Sequence, residues 1–227
     1  VGRFRFQVPV REHHGSALRR RAAAPPLAVS PLLANAISPG TLPAEGIQGP
    51  LVYAGNGTLA EFNGLDVVDA IVLMEMTSGK NWLNAANLGA RALIYIDRGE
   101  SHRSRFRDKF ELTPIDFPRF WVPYTDLQEY LTLEGDLARA VLPSRAHLTS
   151  QIAWRNTEAA NLFCLVPGVD ETLAEELVIV EAFYDSTAHV AGRAPGADEA
   201  GGIASLLDLA RYFKDHPPRR SALLLAT

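Results

Sequence analysis

The chain has 227 residues, of which 47% are hydrophobic and 21% are charged. This composition is typical of a folded globular chain and excludes wholesale disorder and collagen-like or disulfide-stapled classes. The formal net charge is -4, so no general basic field attracts nucleic acid or anionic lipid. No apolar run reaches the ~20 residues needed to cross a bilayer. At about 150 residues per domain, the length corresponds to roughly one and a half domains.

The first 45 residues predict an arm that begins with a strand. Residues 3–10 alternate polar and apolar side chains, with Phe4, Phe6 and Val8 on one face, which is the period of a half-buried strand. Residues 15–43 hold an arginine run and several prolines. Proline suits neither long helices nor central strands, so this stretch is expected to be irregular or to lie at a sheet edge.

Residues 49–135 predict alternating short strands and helices. The β-prone runs are 51–53, 70–74, 92–96 and 117–124, and the small residues of 81–90 suit a short helix. Asn56-Gly57-Thr58 is a formal glycosylation sequon that also supplies turn chemistry. Thr125 and Gln128 have capping-box spacing, and Gly135 is placed to end the helix. Residues 137–154 alternate loosely and predict one or two strands, with a domain boundary near 150.

The last segment predicts a sheet covered on both faces. Residues 162–166, 177–182 and 221–227 are predominantly apolar runs, which suit such a sheet. Residues 202–214 predict an amphipathic helix, because Ile203, Leu206 and Phe213 share one stripe. Cys164 lies in the first run, where a free thiol usually behaves as a small core hydrophobe.

Carboxylates cluster where a predicted strand meets this helix. Asp185 follows the strand of residues 177–182, at the edge where ligands bind in open α/β sheets. Asp198 and Glu199 lie just before the predicted first helical turn, where the dipole favours negative charge and Asp is a good N-cap. Capping acids and a ligand site therefore both remain open interpretations at this point.

Two motifs in this segment resemble those of the co-catalytic zinc exopeptidases of clan MH, which include aminopeptidases and glutamate carboxypeptidase-like enzymes. They are Phe-Tyr-Asp-Ser at 183–186 and Pro-Gly-Ala-Asp-Glu-Ala-Gly-Gly at 195–202. Residues 49–135 are similar to the protease-associated (PA) domain inserted in this family. The resemblance implies an α/β fold in three parts. These are an arm with an edge strand (1–45), a PA-like domain (46–150) and the start of a three-layer α/β/α peptidase-like domain (151–227).

The resemblance also implies roles for the carboxylates. Asp198 would bridge two zinc ions, and Glu199 would stand beside it rather than on the metals. The first zinc ligand of the family is a histidine at the place of Phe183, which has no lone pair to give a metal. Asp185 stands where the family aspartate orients that histidine. His189, between the motifs, is a candidate substitute ligand, although a loop histidine more typically faces solvent.

In the family, an acid pair follows the strand that 221–227 resembles, so the general base and further ligands are expected beyond Thr227. Zinc hydrolysis needs an open metal position and a base near the attacking water. Three interpretations stay open: a catalytically degenerate metallopeptidase-like protein, an active zinc exopeptidase completed beyond residue 227, and a non-catalytic scaffold. The implied partner is a peptide or protein, the implied cofactor is zinc with doubtful occupancy, and the implied location is extracytoplasmic.

Overall fold

The computed structural model describes residues 1–20, 25–32, 42–99, 102–109, 115–131, 137, 145–186, 188–190, 192–193 and 196–227, without the side chains of 103, 197 and 198. Gly135, the predicted helix end, lies outside these residues. The chain divides into two compact units. Unit 1 comprises Val1–Val10, Trp154–Thr187 and Ala194–Thr227, and unit 2 comprises Arg11–Ala153 and Ala188–Arg193. The division into an arm, a PA-like domain and a peptidase-like domain stays a prediction, separate from these two units.

Strands and helices alternate through most of the chain. The strands are β1 (Gly2–Arg19), β2 (Leu27–Ala28), β3 (Ser30–Pro31), β4 (Ile47–Tyr53), β5 (Ile71–Glu75), β6 (Ala92–Asp97), β7 (Arg119–Pro123), β8 (Arg145–Val166), β9 (Leu177–Ala182) and β10 (Ser221–Ala226). The helices are α1 (Leu59–Phe62), α2 (Trp82–Asn87), α3 (Arg103–Arg107), α4 (Tyr124–Leu131) and α5 (Ala197–Asp215). The predicted α/β class is confirmed.

Unit 2 is built on a parallel sheet with a hydrophobic cluster on each face. Strands β4, β5, β6 and β7 run parallel in that order, and β8 and β3 flank them antiparallel. Alternate residues of β5 and β6 enter opposite clusters, as Ile71 and Ile94 do on one face and Val72 and Tyr95 on the other. Side chains buried this fully contribute about 1.5–3 kcal/mol each. The continuous apolar runs of the sequence follow from this two-sided burial.

Helix α4 begins at a different residue from the one that the sequence predicts. Thr125 does not begin a capping box, because α4 already begins at Tyr124, immediately after β7. The Thr125 hydroxyl instead donates to the carboxylate of Asp126 at 3.1 Å. The capping box of this unit lies at α1, where Thr58 caps the backbone of Glu61 and Glu61 caps the backbone of Thr58 in return.

Unit 1 packs α5 against a small mixed sheet. Strand β10 lies between β9, which is parallel to it, and the last part of β8, which is antiparallel. A cluster around Leu206, Leu224 and Ala226 joins α5 to the sheet. The prediction of a sheet covered on both faces is wrong for the described residues, because Leu177 is 51% exposed and Ile179 is 58% exposed.

Two strands are longer than their sequence patterns indicate. Strand β8 is one continuous strand of 22 residues, whereas the sequence predicts separate strands in residues 137–154 and 162–166. Strand β1 extends to Arg19, into a stretch predicted to be irregular or at an edge. Within the described part of the chain, no helix combines the length and apolar character that a bilayer crossing requires.

Candidate functional site

The carboxyl ends of β9 and β10 lie side by side in unit 1. The strands are parallel, with Ala182 paired to Ala226. Just beyond them, the Thr227 amide donates to the Ala182 carbonyl at 3.1 Å, and the Tyr184 amide donates to the Thr227 carbonyl at 3.0 Å. The residues that follow β9 therefore start at the sheet edge where ligands bind in open α/β folds.

The Ser186 hydroxyl joins the two sequence motifs. Its Oγ accepts a hydrogen bond from the Gly196 amide at 3.1 Å and donates one to Oε2 of Glu199 at 3.3 Å. Gly196 has a φ of 64°, in the left-handed region that favours glycine. This single hydroxyl thus connects the segment after β9 to the entry and first turn of α5.

Asp198 and Glu199 lie inside the first turn of α5 rather than just before it. The helix begins at Ala197 and its N-cap is Gly196, so the interpretation of Asp198 as an N-cap is wrong. The chain enters the helix earlier because Gly196 makes the turn that an L side chain would strain. The Asp198 side chain lies outside the described part of the structure, so its role as a bridging zinc ligand stays a prediction.

The helix of α5 approaches β9 closely through a glycine. A Cβ atom added at Gly202 would lie 3.7 Å from the Cβ of Ala182, which is ordinary van der Waals contact. The start of α5 therefore packs against the end of β9 at Gly202, where an alanine would also fit. This packing brings the motif of 195–202 to the sheet edge that carries residues 183–186.

The described donor set does not fit a zinc centre. Phe183 follows β9 with a ring that is 62% exposed and offers no nitrogen, oxygen or sulfur atom. Asp185 is exposed, and the Glu199 carboxylate accepts the Ser186 hydroxyl. Zinc sites in proteins use three or four N, O or S ligands. In the described part of the chain, no group of three or more His, Cys, Asp or Glu side chains is arranged to hold a metal.

His189 belongs to unit 2 and is buried there. Its ring stacks on Phe106, with 5.2 Å between ring centroids and 7° between planes. Only 8% of the residue is exposed, so the expectation that it faces solvent is wrong. The imidazole packs against an aromatic ring instead, and the described residues do not place it in a group of three or more potential metal ligands.

Sequence reasoning assigned no role to two further contacts near this edge. The Thr227 hydroxyl donates to Oε1 of Glu181 at 2.9 Å, and the Tyr184 hydroxyl donates to the Ala160 carbonyl. The sequence signal for the contact between Thr227 and Glu181 is that Glu181 places a carboxylate inside the otherwise apolar run of residues 177–182. The role of Ser186 was also missed, although its hydroxyl directly follows Asp185 in the sequence.

An apolar groove in unit 1 includes one residue of this edge. It encloses about 370 Å³, and its walls include Tyr184, Cys164, Ile203, Leu206 and Leu224. Cys164 is half-buried and packs against the cluster between α5 and the sheet. The groove therefore runs from the strand-end segment along one side of α5.

Comparisons with known proteins give the fold a context. An aminopeptidase from Aneurinibacillus sp. strain AM-1 superposes with a TM-score of 0.58 at 20% identity, covering 99% of this chain and 52% of that one. A zinc aminopeptidase from Bacillus subtilis superposes with a TM-score of 0.65 at 21% identity, covering 99% of this chain and 50% of that one. This chain thus spans about half the length of the solved structures it matches.

The sequence comparisons are more local. No curated protein sequence matches the chain. Residues 161–227 match the model of Peptidase family M28, and this segment holds both motifs of the candidate site. The chain therefore shares its fold with zinc aminopeptidases, and its last segment, residues 161–227, is similar in sequence to Peptidase family M28.

Proposed function

We propose that this chain is part of a metallopeptidase-like protein whose zinc site is degenerate at Phe183. The carrying observation is the exposed phenyl ring at the carboxyl end of β9, where a first zinc ligand is expected. A phenyl ring has no lone pair for a metal. The similarity of residues 161–227 to Peptidase family M28 supports this placement of the motif. Asp198 supplies the bridging carboxylate in this proposal, and Asp185 lacks the imidazole that it would orient.

In this proposal the protein binds a peptide or protein ligand and does not hydrolyse it. Loss of a partner that only orients a ligand typically costs ~10 to 100-fold in metal affinity, so loss of the ligand itself costs more. Without a held zinc ion no water is activated, and the retained sheet edge serves to bind a peptide or protein ligand. The PA-like domain of residues 46–150 and an extracytoplasmic location are further parts of this proposal.

A second candidate function is that of an active zinc exopeptidase. It is favoured by the intact connection between the motifs, in which Ser186 still joins Gly196 and Glu199. A site that no longer bound metal would not need this connection. In this alternative, the remaining ligands and the general base come from sequence beyond Thr227.

Zinc titration of the full-length protein that contains this chain, in three forms, tests the proposal. The unchanged chain is compared with Phe183→His and with the control Phe4→His, since Phe4 is 63% exposed and Phe183 is 62% exposed. We expect Phe183→His alone to tighten zinc binding, by more than about tenfold, because it adds an imidazole ligand where the motif places one. The same gain in Phe4→His would contradict the proposal.

A further inference from the structure

Unit 2 contains two Asn-Gly pairs, one before and one after helix α1, at residues 56–57 and 63–64. Asparagine followed by glycine is the dipeptide most prone to deamidation, because glycine has no side chain to shield its amide nitrogen. In this reaction the glycine nitrogen attacks the side-chain amide carbon of the asparagine. The two pairs have the same sequence, so any difference in their reactivity comes from the fold around them.

The first pair is held by hydrogen bonds. The Gly57 amide donates to the Ala54 carbonyl at 2.7 Å, so the nitrogen that would attack is already engaged. The Asn56 side-chain oxygen accepts the Thr77 hydroxyl at 2.7 Å, which holds the group that would be attacked. The Asn84 side chain donates to the Gly57 carbonyl at 2.9 Å, and Gly57 is itself buried. Deamidation at Asn56 therefore requires this turn to open.

The second pair lacks these restraints. Asn63 is exposed, and none of the described residues forms a hydrogen bond with its side chain. The Gly64 amide likewise donates to no carbonyl in the described part of the chain. Asn63 has a ψ of 124°, so rotation about its Cα–C bond must bring the Gly64 nitrogen to the side chain. Open space favours this rotation, because a Cβ atom added at Gly64 would meet nothing within 4 Å.

We propose that Asn63 is a site of spontaneous deamidation in the folded protein and that Asn56 is protected. The Gly64 nitrogen forms a bond to Cγ of Asn63, the bond from Cγ to Nδ2 breaks, and the nitrogen leaves as ammonia with the Gly64 amide proton. Water then opens the resulting succinimide ring at either carbonyl, which gives aspartate or isoaspartate. Water is the only co-reactant, and the reaction is independent of zinc.

The products differ from asparagine in charge and in backbone length. Each carries a negative charge that Asn63 lacks, in a stretch that already holds the carboxylates of Glu61 and Asp66. Isoaspartate also adds a carbon atom to the main chain between α1 and Val67, which is 4% exposed in the core of unit 2. The modification therefore alters the connection between a surface helix and a buried side chain.

Peptide mapping of the full-length protein that contains this chain tests the proposal. The folded protein is incubated at neutral pH, and samples are taken over time. Cleavage after glutamate places Asn56 and Asn63 in different peptides, because Glu61 lies between them. Mass spectrometry then measures the deamidated fraction of each peptide. We expect Asn63 to deamidate at least about tenfold faster than Asn56, since each hydrogen bond that must open slows the reaction.

A sample unfolded in urea is the control. The hydrogen bonds around Asn56 are lost there, so the two asparagines should deamidate at nearly equal rates. Equal rates in the folded protein, or a faster reaction at Asn56, would overturn the proposal. It would also fail if Asn63 stayed intact in the folded protein for the time that it takes to deamidate in urea.

Two variants test the two environments separately. Thr77→Ala removes the hydroxyl that Asn56 accepts, so we expect deamidation at Asn56 to accelerate several-fold while Asn63 keeps its rate. Asn63→Gln should lose most of the reaction at position 63, because the longer side chain must close a larger ring. An unchanged rate at Asn56 in Thr77→Ala would contradict its protection by these bonds. An unchanged rate at position 63 in Asn63→Gln would contradict attack by the Gly64 nitrogen.

Discussion

At the scale of single residues, the least ordinary environment in unit 2 is that of the Lys109 ammonium group. Its Nζ donates to the carbonyls of Met76 at 2.8 Å and Gly79 at 3.1 Å, and it lies 5.0 Å from the ring centroid of Tyr95. Burial penalises the charged form and lowers the pKa of Lys109 to about 8. The ammonium therefore titrates at lower pH in the folded chain than in the unfolded chain.

This lowered pKa predicts the direction of a pH dependence. Between about pH 8 and the ordinary lysine value of ~10.4, the unfolded chain binds more protons at Lys109 than the folded chain does. Stability therefore rises with pH across this window. We expect the free energy of unfolding of the unchanged chain, relative to Lys109→Met, to rise on the order of 2 kcal/mol from pH 7 to pH 10. Urea unfolding at each pH measures it, and parallel pH profiles would contradict it.

At the scale of single elements, the short helix α1 depends on its capping box. The Glu61 amide donates to the Thr58 hydroxyl at 3.3 Å, and the Thr58 amide donates to the Glu61 carboxylate at 2.9 Å. Thr58 is extended, with φ of -66° and ψ of 155°, as an N-cap residue requires. A helix of four residues has few internal hydrogen bonds, so the cap is a large part of its stability.

Removing this cap should cost about 1 kcal/mol of unfolding free energy in Thr58→Ala. Thr125→Ala is the matched control, because Thr125 is also an exposed threonine near a helix start but lies inside α4. Alanine favours a helix interior, so the control should be neutral or slightly stabilising. Chemical denaturation of the two variants measures both values. Equal losses would show that the Thr58 cap contributes nothing specific.

The strands and the helices differed in how well their sequences predicted them. The strands β5 and β6 were predicted because continuous apolar runs reflect burial on both faces. The polar stretch around residues 155–160 hid the continuity of β8, because backbone pairing leaves no hydrophobic pattern where side chains face solvent. The capping-box spacing occurs at both Thr58 and Thr125, and spacing alone does not tell which residue precedes the helix.

The candidate site was only partly predictable for a similar physical reason. The motifs at 183–186 and 195–202 lie on a local pattern of strand, glycine-rich turn and helix, so their meeting at a sheet edge could be expected. The bridge made by Ser186 depends on a single hydroxyl that neither motif pattern marks, and the burial of His189 depends on Phe106, which is distant in the sequence. Neither contact leaves a periodic signal in the sequence.

At the scale of the whole molecule, the two units bury their sheets to different extents. In unit 2, every residue of β6 is buried, and four of the five residues of β5 are buried. In unit 1, none of the six residues of β9 is buried. Exposed backbone hydrogen bonds and sparse apolar packing are features of regions that open locally at low free energy.

This difference predicts unequal protection in hydrogen exchange. We expect amides of β6 to exchange at least about tenfold more slowly than amides of β9 at neutral pH, because β9 opens without disrupting a core. NMR or mass spectrometry of the native chain measures both strands in one sample. Equal protection would mean that β9 is covered in solution by something outside the described residues.

The central claim, that Phe183 disables a zinc centre, is tested most directly by metal content and turnover measured together. The full-length protein that contains this chain and its Phe183→His variant are dialysed against micromolar zinc, analysed for bound metal and assayed on an aminoacyl anilide. The account predicts substoichiometric zinc and no turnover in the unchanged chain, and more bound zinc in Phe183→His. One or more equivalents of tightly bound zinc with turnover in the unchanged chain would contradict it.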